Sequence, residues 1–250
     1  MTSFWAKVAL LVFVMGFIGS AVRGDEATSA KASEKSPELE IAASVAKRID
    51  RDDASWRELT VKLQKAVEAY NPASVHVMPE GQSLDAFRSY CGKLLESGKN
   101  LVALHEQWDK ASVGLGDSLR KAPAYYRGAA KAMREKAETM RFAVIKERYL
   151  LTADIWEQLA TKAEERAKDL SLDKSSKGVV DLIREENMFL ADFIGTLDAL
   201  PRVSGADGGR YGDLIEVLRK HATQSDELHR QLKRFRDKLK ADPRQGTASE

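Results

Sequence analysis

Cysteine is almost missing from this 250-residue chain: there is one, Cys91. A small secreted domain held by disulfides carries an even set, so that class is excluded, and Cys91 either pairs with another chain or stays a thiol. Its place on an apolar helical stripe predicts a small buried hydrophobe. No Asn-x-Ser/Thr glycosylation site occurs. Sustained two-residue alternation of β-branched side chains is also lacking, which removes the strand signal. Nor is there a Gly-x-Ser-x-Gly elbow, a Gly-rich phosphate loop following a strand, or a Cys-x-x-Cys-His haem attachment. His105-Glu106 begins like a zinc-protease motif, but Trp108-Asp109 stands where the second histidine is required. Gly114-Leu115-Gly116 shares letters with a dinucleotide fingerprint but lies on an apolar helical stripe. No catalytic constellation remains, so the chain is expected not to be an enzyme and no cofactor is expected.

Long apolar runs are limited to the N-terminus. Met1–Lys7 carries one positive charge, Val8–Gly19 is continuously apolar, and Gly19, Ser20, Ala21 and Gly24 are small. That order predicts a secretory signal peptide over residues 1–24, cleaved near Gly24 or after Ala21. The apolar stretch to Val22 is shorter than the roughly 20 residues that cross a bilayer, although an uncleaved anchor is the rival reading. A lipoprotein is disfavoured because no cysteine lies near the exit.

Excess charge is missing from the remainder. The 40 basic residues fall to 38 when Lys7 and Arg23 are removed, matching the 38 acids. A neutral mature chain argues against nucleic acid as the partner. The periplasm, the extracellular space and the endoplasmic reticulum are all compatible compartments.

What the chain does have is three-four apolar spacing. Residues 25–36 form an Ala/Ser/Lys/Glu-rich leader, expected to be flexible. Ser36-Pro37-Glu38 then reads as a helix start, with a cap, an N1 proline and an early acid. The first helix carries Ala42, Val45, Ile49, Trp56, Leu59, Leu63, Ala66 and Tyr70, interrupted by Asp52, and ends at Asn71-Pro72. After a loop through Pro79-Glu80-Gly81, Ser83 caps a second helix whose stripe runs from Leu84 and Phe87 to Leu119. Gly98 and His105 lie on that stripe.

Pro123 is expected to end the second helix. A third then carries Tyr126, Ala130, Met133, Ala137, Met140, Val144, Leu151 and Ile155 inward and continues to about Leu170. Ser171–Lys177 reads as a polar turn. The fourth helix presents Val179, Ile183, Leu190, Phe193, Leu197 and Leu200. Pro201–Gly209 reads as a hinge. The fifth helix presents Tyr211, Leu214, Leu218, Leu228, Leu232, Phe235 and Leu239. The expectation is therefore all-α: an elongated antiparallel bundle of about five amphipathic helices with coiled-coil-like seams over 37–241, and a disordered tail over 242–250.

Polar residues interrupt these seams at Asp52, His105, Glu147, Glu186, His221 and Ser225. Carboxylates and imidazoles inside a bundle are raw material for a metal site. The di-iron pattern needs two Glu-x-x-His pairs, and only Asp226-x-x-His229 comes near it. No metal ligand set is therefore assigned. Trp56 and Trp108 lie on seams and are expected to be buried; Trp156, one residue off Ile155, is expected to be partly exposed.

Charge is unevenly placed. Residues 120–148 hold nine basic residues against three acids, and 219–240 hold eight against three. Arg127, Lys131, Arg134, Arg141 and Arg148 fall beside one seam, and Arg230, Lys233 and Arg234 lie on the last helix. This basic stripe is the candidate partner-binding surface, for a protein or an anionic envelope component, with peripheral membrane contact as one form. The competing reading pairs these charges between neighbouring helices. Leu151-Thr152 with Gln158 shares part of the Leu-Thr-x-x-Gln motif of small periplasmic helical chaperones, but Ile155 stands at the glutamine position, and no family is assigned.

The functional expectation is an exported, non-catalytic interaction, scaffold or chaperone-like protein of the cell envelope or secretory space. The alternatives are a membrane-tethered coiled-coil subunit that self-associates, and a metal- or ligand-binding bundle.

Overall fold

The computed structural model describes residues 36–72, 84–171, 176–199 and 208–241. Among them the chain is all-α, with no strand. Five helices follow in order: α1 (Pro37–Ala69), α2 (Leu84–Thr139), α3 (Ala143–Ser171), α4 (Ser176–Ala199) and α5 (Gly208–Ala241). They pack as helical bundles in two compact units. One unit takes 36–57, 110–139 and α3; the other takes 58–72, 84–109, α4 and α5. The expected signal segment, the loop through Pro79-Glu80-Gly81 with Ser83, nearly all of the leader and the polar turn, and the tail lie outside the described residues. So does most of the Pro201–Gly209 hinge, whose last two glycines begin α5.

α1 starts at Pro37, where Leu39 N–H donates to the Ser36 carbonyl at 3.0 Å and the Ser36 hydroxyl bonds the Glu38 carboxylate. Its buried stripe is Ala42, Ala46, Ile49, Asp53, Trp56, Thr60, Leu63, Val67 and Tyr70, an unbroken alternation of four and three. The sequence reading placed alternate seam positions one residue early, at Val45, Asp52, Leu59 and Ala66. Asp52 instead sits at the rim and pairs with Arg48 and Arg51. Two polar side chains, Asp53 and Thr60, are in the seam, and each finds a hydrogen-bond partner, described below.

α2 keeps one frame over its whole length: Phe87, Cys91, Leu94, Gly98, Leu101, His105, Trp108, Ser112, Leu115, Leu119, Ala122 and Tyr126. The expected boundary at Pro123 is therefore corrected. The missing N–H removes one helical hydrogen bond, but Ala122 and Tyr126 on either side are fully buried, and their packing holds the backbone helical. The chain turns instead at Met140–Phe142, where Met140 N–H reaches the Ala137 carbonyl at 3.2 Å.

This shift changes the inward face of α3. Ala153, Trp156, Ala160, Ala163 and Ala167 are buried, whereas Val144 and Leu151 face solvent and Ile155 is half-buried. Trp156 is 1% exposed and packs on Tyr126, with ring centroids 5.5 Å apart. The three-helix unit is thus lined mainly by alanine, with aromatic rings between. In the other unit, Phe87 meets Phe193 edge-on at 6.1 Å, and leucines from α4 and α5 close the core.

Gly98 illustrates a close approach. A Cβ added there would meet the Asn187 amide oxygen of α4, the far end of a side chain that would have to move aside. Gly98→Ala gains helix propensity but displaces that amide, so a net change within about 1 kcal/mol is expected. In an Asn187→Ala background the same change should become neutral or stabilising, which a double-mutant denaturation cycle reads directly. Leu63 and Leu190 are fully buried, and Leu63→Ala or Leu190→Ala should each lose about 2–5 kcal/mol in urea melts.

Candidate functional site

Within the predicted basic stripe, Arg127 and Arg134 pair with acids of α3. Arg127 bonds Glu164 of α3 at 2.9 Å and lies 3.8 Å from Glu157. Arg134 reaches Glu157 at 3.2 Å and Asp154 at 3.7 Å. The residue order of these pairs runs in opposite directions along α2 and α3, so they bind the antiparallel pair together. Lys131 pairs along its own helix with Glu135, and Arg230 with Glu227. These exposed pairs contribute little to stability, but they engage the charges in specifying which helices meet. Arg141, Arg148, Lys233 and Arg234 are exposed and form no ion pair with a described residue.

His105, Glu186 and Ser225 are buried as expected and His221 is half-buried, and three polar contacts stand in the seams. In the first unit, Asp53 lies between α1 and α3. It accepts from Arg57 Nε at 2.9 Å and pairs with Arg166 of α3. In the second, the Trp108 indole N–H donates to the Thr60 hydroxyl at 2.9 Å, joining α2 to α1. His105 is buried beside Trp108 and Phe235, with ring centroids at 5.6 and 6.0 Å.

The third contact has the most chemical character. Glu186 of α4 is 2% exposed, and its Oε2 lies 2.7 Å from Nε2 of His221 on α5. Phe189, one turn further along α4, stacks on the His221 ring at 3.3 Å. The other carboxylate oxygen, Oε1, is buried without a hydrogen-bond partner, as is the Tyr70 hydroxyl at the end of α1. Burial, and then the Glu186 charge, hold the Tyr70 phenol well above its ordinary range. The cluster is thus a close carboxylate–imidazole contact covered by an aromatic ring.

Among the described residues, no three His, Cys, Asp or Glu side chains stand close enough together to hold a metal ion. Glu147, expected on a seam, is fully in solvent. The Cys91 thiol is buried, and desolvation raises it to about 11 from 9.0, which suppresses the nucleophilic thiolate at neutral pH. A shallow depression lined by Asp85, Arg88, Ser89, Gly92 and Ile194 offers no buried polar group.

The feature missed in the sequence is at the α2–α3 turn. Phe142, Val144, Ile145, Leu150 and Leu151 are all exposed, Phe142 and Val144 at 71% and Leu151 at 54%. Elsewhere large exposed apolar residues are scattered singly along the helices, as is ordinary. Arg141, Lys146 and Arg148 lie among the five, with Glu147 as the one acid between positions 141 and 151. A signal was present in the sequence: Val144, Leu151 and Ile155 make a second apolar stripe, distinct from Ala153, Trp156 and Ala160.

His221→Ala would leave Glu186 buried without its imidazole partner, and we expect a loss of about 3–5 kcal/mol in chemical denaturation. His221→Ala/Glu186→Leu, which removes both polar groups, should recover much of that loss; no recovery would show that the pair is not coupled. Comparison with family models, curated proteins and solved structures finds no match for this chain.

Proposed function

We propose that the chain is an exported, non-catalytic helical interaction protein, scaffold-like or chaperone-like, of the cell envelope or secretory space. The observation that carries the interaction part is the cluster of exposed apolar side chains between Phe142 and Leu151. An isolated exposed leucine needs no explanation, but a contiguous apolar patch on a soluble face marks a binding surface. Export rests on the Val8–Gly19 apolar run with its basic start and small-residue exit. The seams of the described helices are filled by packed side chains, and the polar groups within them serve helix pairing, which fits a structural role better than catalysis.

A second reading keeps residues 1–24 as an anchor, making the protein a membrane-tethered helical subunit. No helix among the described residues is long and apolar enough to cross a membrane, so any tether would come from that segment.

Expression with the native N-terminus, fractionation and intact mass measurement separate these readings. The exported form should lack about 24 residues; retention of Met1–Gly24 in the membrane fraction would support the tether, and unprocessed cytosolic protein would reject both. A photo-crosslinking side chain at Met188, set against one at Leu151, tests the interaction reading. Adducts are expected at Leu151 and not at Met188, and no adduct at Leu151 in the exported fraction would sink it.

A further inference from the structure

The exposed tip carries a more specific assignment, which rests on the reading of residues 142–151 as a binding face. We infer that the α2–α3 turn docks onto an anionic lipid surface, with Phe142, Val144 and Leu151 entering the headgroup–acyl boundary and Arg141, Lys146 and Arg148 meeting the phosphates.

Geometry selects this occupant. Val144 and Leu151 are seven residues apart and lie on the side of α3 away from the buried Ala153–Trp156–Ala160 stripe, about 120–180° round the helix from its members at 100° per residue. Ile145 and Leu150 lie about 100–120° to either side of them, with Arg148 and Glu147 between, so apolar and charged side chains alternate around the exposed turn. Such a convex tip has no single flat face to present to a rigid protein groove, whereas a fluid bilayer closes around it. A second copy of the chain is disfavoured as the occupant, because two identical tips would set Arg141, Lys146 and Arg148 against the same cations. Lipid contact scales with inserted apolar area plus attraction between basic residues and anionic headgroups.

Charge points the same way. Between positions 141 and 151 there are three basic residues and one acid, Glu147, and none of the three cations is paired with a described residue. By contrast, Arg127 and Arg134, farther along α2, are held by Glu157, Glu164 and Asp154. The tip is also where α3 begins. Ile145 and Lys146 N–H donate to the Phe142 carbonyl at 3.1 and 3.0 Å; the positive end of the α3 dipole is offset there by the negative C-terminal end of α2 at Thr139, so the three side-chain cations carry the charge.

Site-directed spin labelling of the full-length chain tests the proposal. Cys91 is fully buried, so nitroxide labels on V144C and, as a control on α2, V113C report those positions. On phosphatidylglycerol vesicles at low ionic strength, the V144C label should gain oxygen accessibility and the V113C label should stay aqueous. On phosphatidylcholine vesicles both should stay aqueous. The R141Q/K146Q/R148Q variant should partition on the order of a hundredfold more weakly, given the attraction of each basic residue to an anionic leaflet, with an unchanged circular dichroism spectrum.

A V144C label that stays aqueous on anionic vesicles overturns the proposal. So does equal immersion in neutral and anionic vesicles, which would remove the role of the basic residues. Dipolar broadening between V144C labels without lipid would assign the tip to a second copy, overturning lipid docking and leaving the interaction reading intact. Because the label reports position 144 itself, retention of residues 1–24 does not obscure the result. Protein adducts at Leu151 with an aqueous V144C label would likewise overturn the lipid assignment alone.

Discussion

Each described helix must bury a stripe of positions spaced alternately three and four residues apart, and polar side chains on that stripe must be satisfied inside it. This constraint organises the rest of the structure. α1 brings Asp53 and Thr60 into its seam, and neither could remain there alone, because an unpartnered buried polar group opposes folding. Asp53 is met by Arg57 and Arg166, and Thr60 accepts from the Trp108 indole. Each contact also fixes which residue of one helix faces which residue of another. A purely aliphatic stripe is more tolerant of sliding by one heptad, whereas a buried carboxylate with a specified arginine is not.

Small residues do the complementary work. Ala129, Ala130, Ala137, Ala153, Ala160 and Ala163 are all fully buried, so the backbones of α2 and α3 are brought close together, leaving room for Tyr126 and Trp156 between them. In the second unit, Gly98 admits the Asn187 side chain in the same way. The Glu186–His221 pair sits in an otherwise leucine-rich seam, capped by Phe189, and ties α4 to α5 through a contact that depends on both partners. These features describe helices held in register by a few buried polar contacts, with solvent-side ion pairs arranged around them.

The consequence for function is that most of the chemistry visible in the sequence is consumed internally. Arg127 and Arg134, two of the eight residues of the predicted basic stripe, face acids on α3. His105 and Glu186 lie in cores. What remains outward is Lys233 and Arg234 on α5 and, with apolar and basic side chains together, the turn between α2 and α3. The same turn is where the inward stripe of α3 has run out: Tyr149 is half-buried, and earlier residues have no core to join. The exposed apolar face follows from a helix extending beyond the core it packs against.

The sequence by itself determined the all-α class, the buried frame of α2 with Gly98 and His105 on it, and the seams of α4 and α5, because large aliphatic and aromatic residues at three-four spacing admit one helical face. It also set Glu186 and His221 on facing seams, though not their contact, since spacing along one helix says nothing of the register between two. Tertiary structure decided the rest. Pro123 stays helical because its neighbours are buried on both sides, a gain no local propensity contains. α3 turns its alanines and Trp156 inward because Tyr126 and the small residues of α2 fit that face; the bulkier Val144–Leu151–Ile155 stripe, which hydrophobicity alone would bury, is left toward solvent. Asp53 in place of Asp52 follows from the position of Arg166, more than a hundred residues away in the chain, and only the folded arrangement brings the two together.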